Sequence, residues 1–259
     1  MQNSHQGFSL VELSIVLVIL GLLVGGILSG QSLIRASQLR GITTEQQRHF
    51  AAIHTFRDKY FMLPGDMNNA TSFWGKDNVN CAAHTGTVAT PGTCNGDADG
   101  QFDMWDENYR LWQHLANAGL IEGSFLGYVS PATSATTPTI ASQVPTSKVS
   151  SNAYWTAAYI SQLGTINHEF GYAAVPDIRS NYVLLSNRSS GWWLNPNVLK
   201  PEEAWNIDTK TDDGKPFTGS VRSSNWNSAV ASCLESNTAT SNYNLTSSTN
   251  LCPLGFILN

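Results

Sequence analysis

The chain has 259 residues, a formal net charge of -5 and an isoelectric point near 5.6. This balance gives no basic field, so the electrostatic attraction that dominates nucleic-acid affinity is missing and nucleic acid is excluded as a default partner. Charged residues make up only 13% of the chain and aromatic residues 10%, a composition typical of a folded exported protein rather than of a disordered one.

The first segment of the chain is apolar enough to cross a membrane. Residues 8–28 hold a single charged residue, Glu12, in a run that at 1.5 Å per residue covers roughly the 30 Å hydrocarbon core of a bilayer. A secretory signal peptide is the alternative, but its apolar region spans only about 7–15 residues and follows a basic stretch. No Lys or Arg precedes this run, so we predict a retained transmembrane helix.

The segment GFSLVELSIVLVILGLL, residues 7–23, resembles the N-terminus of type IV prepilins and of type II secretion pseudopilins. The resemblance implies that a prepilin peptidase cuts between Gly7 and Phe8 and methylates the new amine on Phe8. It also implies a single-pass protein of the bacterial inner membrane with its head in the periplasm. There the chain would join other pilin-like subunits, as a homo- or hetero-oligomer, through inner-membrane assembly machinery, giving a filament in the periplasm or on the cell surface.

Glu12 raises an energetic question, because a lone carboxylate in lipid costs some 2.5 kcal/mol or more. The amine freed at Phe8 is the candidate partner, and pairing with a neighbouring subunit's amine would satisfy both charges during assembly. Glu12 would then fix the register between subunits. The alternative is a carboxylate that reaches the headgroups near the end of the helix.

Four glycines mark a packing face on this helix. Gly21 and Gly25, and Gly26 and Gly30, form two G-x-x-x-G spacings, which let helix backbones approach closely in lipid or in a filament core. Small residues are also common in membrane helices in general, so the pattern by itself leaves both interpretations open.

Beyond the membrane segment the helix is predicted to continue. No Pro interrupts residues 8–63, and apolar residues recur at spacings near three and four, which indicates an amphipathic extension that ends at the LPGD turn beginning at Leu63. The apolar positions are Leu39, Ile42, Phe50, Ile53, Phe56 and Tyr60. The predicted parts are a leader at 1–7, a transmembrane or filament-core helix at 8–30, an amphipathic extension at 31–63 and a globular head at 64–259.

The head is predicted to be mixed. A second helix is expected within residues 106–123, a short one from Pro201, and strands at 172–175, 181–186 and 191–195, which suggest an antiparallel sheet. Residues 129–152 are rich in Ser, Thr and Pro and predict a long surface loop. The fold class is therefore α+β and resembles the pilin architecture, with a long N-terminal helix packed on an antiparallel sheet and loops closed by disulfides.

Four cysteines, Cys81, Cys94, Cys233 and Cys252, permit three pairings and imply an oxidising compartment. The local pairing closes two short loops, each worth about 3 kcal/mol in the loop-entropy model. A pair between Cys233 and Cys252 also resembles the disulfide-bounded C-terminal region of many type IV pilins. A metal site competes with this interpretation, but no C-x-x-C spacing occurs.

The stretch CNGDADGQFDMWDEN resembles a twelve-residue calcium loop in its spacing of oxygen ligands. The last place normally holds Glu, whereas here the Glu comes one residue late. An Asx-rich turn tied by Cys94 is the alternative. The candidate calcium ligands are Asn95, Asp97, Asp99, Gln101, Asp103, Asp106 and Glu107.

No catalytic motif of the H-E-x-x-H, G-x-S-x-G or P-loop type occurs, and the six histidines are scattered. His114, on the predicted second helix, is interpreted as a packed or half-exposed residue rather than as a base. We therefore expect a structural subunit of a pseudopilus or pilus-like filament and no enzyme. The alternative is a monomeric membrane-tethered binding or enzyme domain that uses a pilin-like anchor.

Overall fold

The computed structural model divides into two compact units, Met1–Arg40 and Gly41–Asn259, which we call the N-terminal unit and the head. Helices and strands are numbered in chain order. The structure describes residues 9–77, 81, 92–103, 106–127, 142–160, 179–187, 198–224, 233–236, 238, 240–249 and 252–258.

Helix α1 runs from Leu10 to Tyr60 without a break. Its last residue, Tyr60, comes three positions before Leu63, the first residue of the LPGD turn that was predicted to end the helix. Its first part is long and apolar enough to span a membrane by length and composition. In the N-terminal unit the large apolar side chains from Leu10 to Leu28 are exposed around the whole circumference. Such a surface requires an apolar environment outside this single chain.

The second part of α1 belongs to the head and is amphipathic. Ile42, Ile53 and Phe56 are fully buried, and Ala52 lies on the same face. These residues recur at helical spacing, so one stripe of α1 packs into the head while Arg48 on the other side stays in solvent. From residue 42 onward, α1 therefore has one side buried in the head and one side in solvent.

The head is built around a four-stranded antiparallel sheet, which confirms the predicted α+β class. The strand order is β1-β2-β4-β3, and in the register of the sheet Val183 of β2 and Val221 of β3 both lie opposite Phe256 of β4. The strands are β1 Ala153–Ile160, β2 Ser180–Asn187, β3 Val221–Arg222 and β4 Leu254–Ile257.

The described part of the head contains three further helices: α2 Thr71–Trp74, α3 Glu107–Asn117 and α4 Pro201–Thr211. Helix α3 ends before Gly119, whose φ of +72° glycine adopts without strain. At the start of α4, Glu203 accepts a hydrogen bond from the backbone N–H of Lys200 at 3.0 Å and so caps the helix. Both predicted helices are confirmed, whereas α2 was not predicted.

Strand prediction succeeded only in part. Residues 181–186 lie within β2, but β1 was missed because AYWTAAYI is buried along almost its whole length and so lacks the alternation of polar and apolar residues. The strands predicted at 172–175 and 191–195 lie outside the described residues. Of the predicted long loop, the described residues 142–152 form turns and isolated bridges, among them the one between Thr146 and Tyr154.

Two disulfide bonds close the predicted loops. Cys81 is bonded to Cys94 and Cys233 to Cys252, which confirms the local pairing among the three that were open. All four cysteines are buried. The second bond ties Cys252, just before β4, to Cys233, and Cys252 also exchanges backbone hydrogen bonds with Leu199.

Candidate functional site

Four carboxylates of the head lie together: those of Asp66, Asp97, Asp99 and Glu107, each with an oxygen within 4.8 Å of the others. We call these residues the acidic cluster. Three of them belong to the candidate calcium set. Asp66 was not predicted as a ligand, because the LPGD motif was interpreted only as the end of a helix; an Asp directly after a Gly turn was a usable signal.

Backbone amides hold the acidic cluster in shape. Asp66 accepts hydrogen bonds from the N–H groups of Asp99 and Gly100, both at 3.0 Å. Glu107 accepts from the N–H of Asp97 at 3.2 Å and from that of Asp103 at 3.1 Å. The first residues of α3 and the loop at 97–103 are therefore joined to the turn that follows α1.

Two carboxylates of the acidic cluster, those of Asp66 and Glu107, have raised pKa values. Burial raises the pKa of Glu107 to about 7, and the charges of Asp66 and Asp97 push in the same direction against the backbone hydrogen bonds. Burial also raises the pKa of Asp66, with Asp99 and Asp97 as further causes. Crowded carboxylates with raised pKa values bind a proton or a cation to relieve their repulsion.

The remaining members of the candidate calcium set lie around the acidic cluster. The Asn95 side-chain oxygen accepts the N–H of Thr71 at 2.9 Å, and Asp106 forms an ion pair with Arg110 at 2.5 Å. Gln101 donates its side-chain amide to Asp99 at 2.7 Å, while burial raises the pKa of Asp103. The four clustered carboxylates therefore give a more compact set of hard oxygen donors than the linear twelve-residue spacing did.

His114 of α3 anchors the turn that carries Asp66. It is fully buried, its Nδ1 accepts the N–H of Gly65 at 2.9 Å, and its Nε2 lies 3.2 Å from the carbonyl oxygen of Cys94. Burial lowers the pKa of His114 to about 3, so the ring is neutral at physiological pH. Of the two predicted environments, packed or half-exposed, it has the packed one, and its hydrogen bonds join the LPGD turn to the Cys81–Cys94 disulfide.

A groove of about 550 Å³ lies between α1 and the loops at 120–125 and 145–148 of the head. His49 lies in its wall, with its ring 4.9 Å from that of Trp112 and 5.3 Å from that of Trp155. Glu45 also lines it, but its carboxylate is already hydrogen-bonded to protein groups. Within the described part of the lining, no hydroxyl or thiol nucleophile lies in hydrogen-bond contact with the His49 ring.

At the N-terminus of α1, Glu12 has a partner in its own helix. Its Oε2 accepts the N–H of Ser9 at 2.8 Å, and the Ser9 hydroxyl oxygen accepts the N–H of Val11 at 3.2 Å. This arrangement is close to a capping box. The S-x-x-E spacing of Ser9 and Glu12 is its sequence signature, from which the cap was not predicted. A negative charge is also favourable at the positive end of the helix.

Of the other residues predicted to serve processing and assembly, Gly7 and Phe8 lie outside the described residues. Gly21, Gly25, Gly26 and Gly30 all lie in α1, and a Cβ atom added to any of them would meet nothing within 4 Å. Their backbone faces are therefore open in the single chain.

Residues 2–28 match the family model described as the prokaryotic N-terminal methylation motif. The chain carries the prepilin-type cleavage and methylation signature. This signature covers the leader, the predicted cleavage point and the apolar first part of α1, which is 27 of the 259 residues. No curated protein and no solved structure gives a significant match to the chain.

The prepilin signature indicates the general class of function. It implies processing by a prepilin peptidase and assembly with other pilin subunits. Together with the apolar helix it indicates membrane anchoring. Proteins with this motif are structural rather than enzymatic.

Proposed function

We propose that this protein is a structural subunit of a type II secretion pseudopilus or of a type IV pilus-like filament, with its head in the periplasm before assembly. The observation that carries the proposal is the prepilin signature on a helix whose apolar side chains are exposed all round. Lipid covers such a helix before assembly, and the helices of other subunits cover it afterwards.

Cleavage between Gly7 and Phe8 places a new amine close to Glu12. The Ser9–Glu12 contact lies within the mature chain, so it lowers the cost of keeping Glu12 in lipid before assembly. In a filament, a neighbouring subunit's Phe8 amine brings a full positive charge to the carboxylate, which a backbone amide does not. This difference favours the assembled state and fixes the register between subunits.

The glycines of α1 supply the second element of assembly. Their open backbone faces let another helix approach closely, since no side chain stands between the two backbones. Dispersion contacts between closely packed helices replace those with lipid tails. Gly21, Gly25, Gly26 and Gly30 are therefore assigned to helix packing in the filament core.

The test combines mass spectrometry of the native N-terminus with an assembly assay in the producing cells. A mature chain that begins with methylated Phe8 and filaments that disappear in a Glu12→Ala variant are expected. Ser14→Ala, on the same exposed helix, is the matched control and should assemble normally. Retention of residues 1–7 in working filaments, or normal filaments from Glu12→Ala, would contradict the proposal.

The same variants separate the filament from a monomeric membrane-tethered domain. In that alternative, Glu12→Ala leaves the localisation and any binding activity of the head unchanged, and wild-type cells contain no polymer. Immuno-electron microscopy then distinguishes the two kinds of filament, since a pseudopilus stays in the periplasm and a type IV pilus extends from the cell surface.

We also propose that the acidic cluster binds Ca²⁺ as a structural ion of the head. Carboxylate oxygens are the ligands that Ca²⁺ prefers, and the four clustered carboxylates supply the charge for it. The ion would neutralise groups whose pKa values are raised by burial and mutual repulsion. It would thereby join the turn after α1, the loop at 97–103 and the start of α3.

A further inference from the structure

Three aromatic rings contact one another where α1 ends, those of Tyr60, Phe73 and Trp74, and the exposed Phe61 follows Tyr60 directly in the chain. We call these four residues the aromatic patch. The Tyr60 ring lies 5.3 Å from that of Phe73 and 5.5 Å from that of Trp74. Phe61 is 89% exposed and Phe73 56% exposed. Large apolar side chains clustered at the surface are typical of an interaction site.

The backbone of Phe61 is also in a strained conformation. Its φ is +58°, in the left-handed region, and its N–H donates to the carbonyl of Arg57 at 2.8 Å, which terminates α1. This position after a helix is normally occupied by Gly or Asn, because a side chain is strained there. A bulky ring that is strained and exposed at once does not stabilise the single chain, and such local conflicts mark functional positions.

The area of the aromatic patch limits the kind of partner. An aromatic side chain buries about 150–250 Å² in an interface, so the two exposed rings with parts of Tyr60 and Trp74 offer about 400 Å². A stable interface needs about 800 Å² on each partner. The aromatic patch is therefore only part of a contact surface, and a partner that is apolar along an extended element would match it.

A second copy of this chain offers such an element. The first part of α1 exposes apolar side chains continuously from Leu10 to Leu28, with exposed fractions between 51% and 85%. We infer that the aromatic patch of one subunit packs on the apolar N-terminal helix of a neighbouring subunit, an inference that rests on the filament function proposed above. Because the two surfaces differ, the contact is head-to-tail and extends into an open helical polymer.

The test uses the full chain in cells that process and assemble it, with Phe61→Asn as the variant. Asn tolerates the left-handed backbone, so the melting temperature of the protein should be unchanged or higher while filament yield falls at least about tenfold. Leu245→Asn is the matched control, since Leu245 is 51% exposed elsewhere on the head, and should leave filament yield unchanged. A lower melting temperature with normal filaments would assign Phe61 a purely structural role and overturn the inference.

A photo-crosslinker identifies the occupant directly. With benzoylphenylalanine in place of Phe61, crosslinks in filaments should map to residues 10–28 of another copy, and the same group in place of Leu245 should give none there. Crosslinks to lipid or to another head would overturn the choice of partner. If the wild-type chain forms no filaments, the proposed function fails and the inference with it, whereas normal filaments from both wild type and Phe61→Asn overturn the inference alone.

Discussion

Glu45, on α1, accepts a hydrogen bond from the indole N–H of Trp155, on β1, at an N–O distance of 2.9 Å and a separation of 110 residues in the chain. The same carboxylate accepts the Ser147 hydroxyl at 2.7 Å and the Lys148 backbone N–H at 3.0 Å. One buried side chain thus joins the part of α1 within the head to the edge strand and to the segment before it.

Replacing Glu45 by Ala should destabilise the head strongly. The Ser147 hydroxyl and the Trp155 indole would lose their acceptor in a buried site, and the Lys148 N–H in a part-buried one. Each unsatisfied buried group costs about 1–3 kcal/mol. We expect a loss of at least about 3 kcal/mol in the free energy of unfolding, measured by denaturant unfolding of the purified protein. Gln47→Ala, on the exposed side of α1, is the control and should change stability by less than about 0.5 kcal/mol. A similar effect of both variants would show that Glu45 does not join these elements.

Acidification should destabilise the head partly through His49. Burial, with a smaller contribution from the charge of Arg48, lowers the pKa of His49 to about 4, below the 6.5 of an unfolded chain. As pH falls from 6.5 to 4, the unfolded state therefore binds a proton that the folded state refuses, and stability decreases. In His49→Phe, the dependence of the unfolding free energy on pH should shrink by up to one proton, about 1.4 kcal/mol per pH unit.

The readout for His49 is the difference between variants at each pH, since other groups titrate in the same range. His49→Phe keeps an aromatic ring beside Trp112 and Trp155, so its stability at pH 7 should stay close to that of the wild type. Gln47→Ala should retain the full wild-type slope. An unchanged slope in His49→Phe would show that His49 does not contribute to acid sensitivity.

The Tyr243 hydroxyl donates to the buried carboxylate of Asp208 at 2.8 Å. Burial raises the pKa of Asp208 to about 6, against the effect of this hydrogen bond. Tyr243→Phe should therefore cost about 1.5–3 kcal/mol at pH 8, where the carboxylate is charged and needs the donor, and less at pH 5, where it is protonated. The free energy of unfolding of both proteins is measured at the two pH values. An equal loss of stability at both would contradict the interpretation that Asp208 accepts this hydrogen bond as a charged carboxylate.

Calcium at concentrations of order millimolar, as in extracellular sites, should raise the melting temperature of the protein in a manner reversed by EDTA. Asp66→Asn and Glu107→Gln should each abolish the shift, because both remove a clustered carboxylate. Asp106→Asn is the control, since Asp106 pairs with Arg110, and should keep the shift even if its baseline is lower. No shift in the wild type would contradict calcium binding, and loss of the shift only in Asp106→Asn would favour the twelve-residue loop.

The acidic cluster shows how far local sequence patterns reach. Asp97, Asp99 and Glu107 lie within ten residues of one another, so a spacing rule could find them. Asp66 precedes them by about thirty residues and joins them through contacts between distant parts of the chain: His114 accepts the N–H of Gly65, and Asp66 accepts the N–H of Asp99. No local periodicity reports such a contact. The same holds for the aromatic patch, in which Phe73 reaches Tyr60 through the fold of the turn between them.

The sequence by itself determined the N-terminal signature, the apolar span with its single carboxylate, the long helix and its end at LPGD, because each depends on neighbouring residues only. The local disulfides were also among the pairings that it allowed. The tertiary structure decided which groups meet: Glu45 with Trp155, Asp66 with Glu107, Tyr243 with Asp208. The physical reason is that burial energies and hydrogen bonds between distant segments arise only when the chain is packed, whereas helix propensity and membrane partition act along the chain itself.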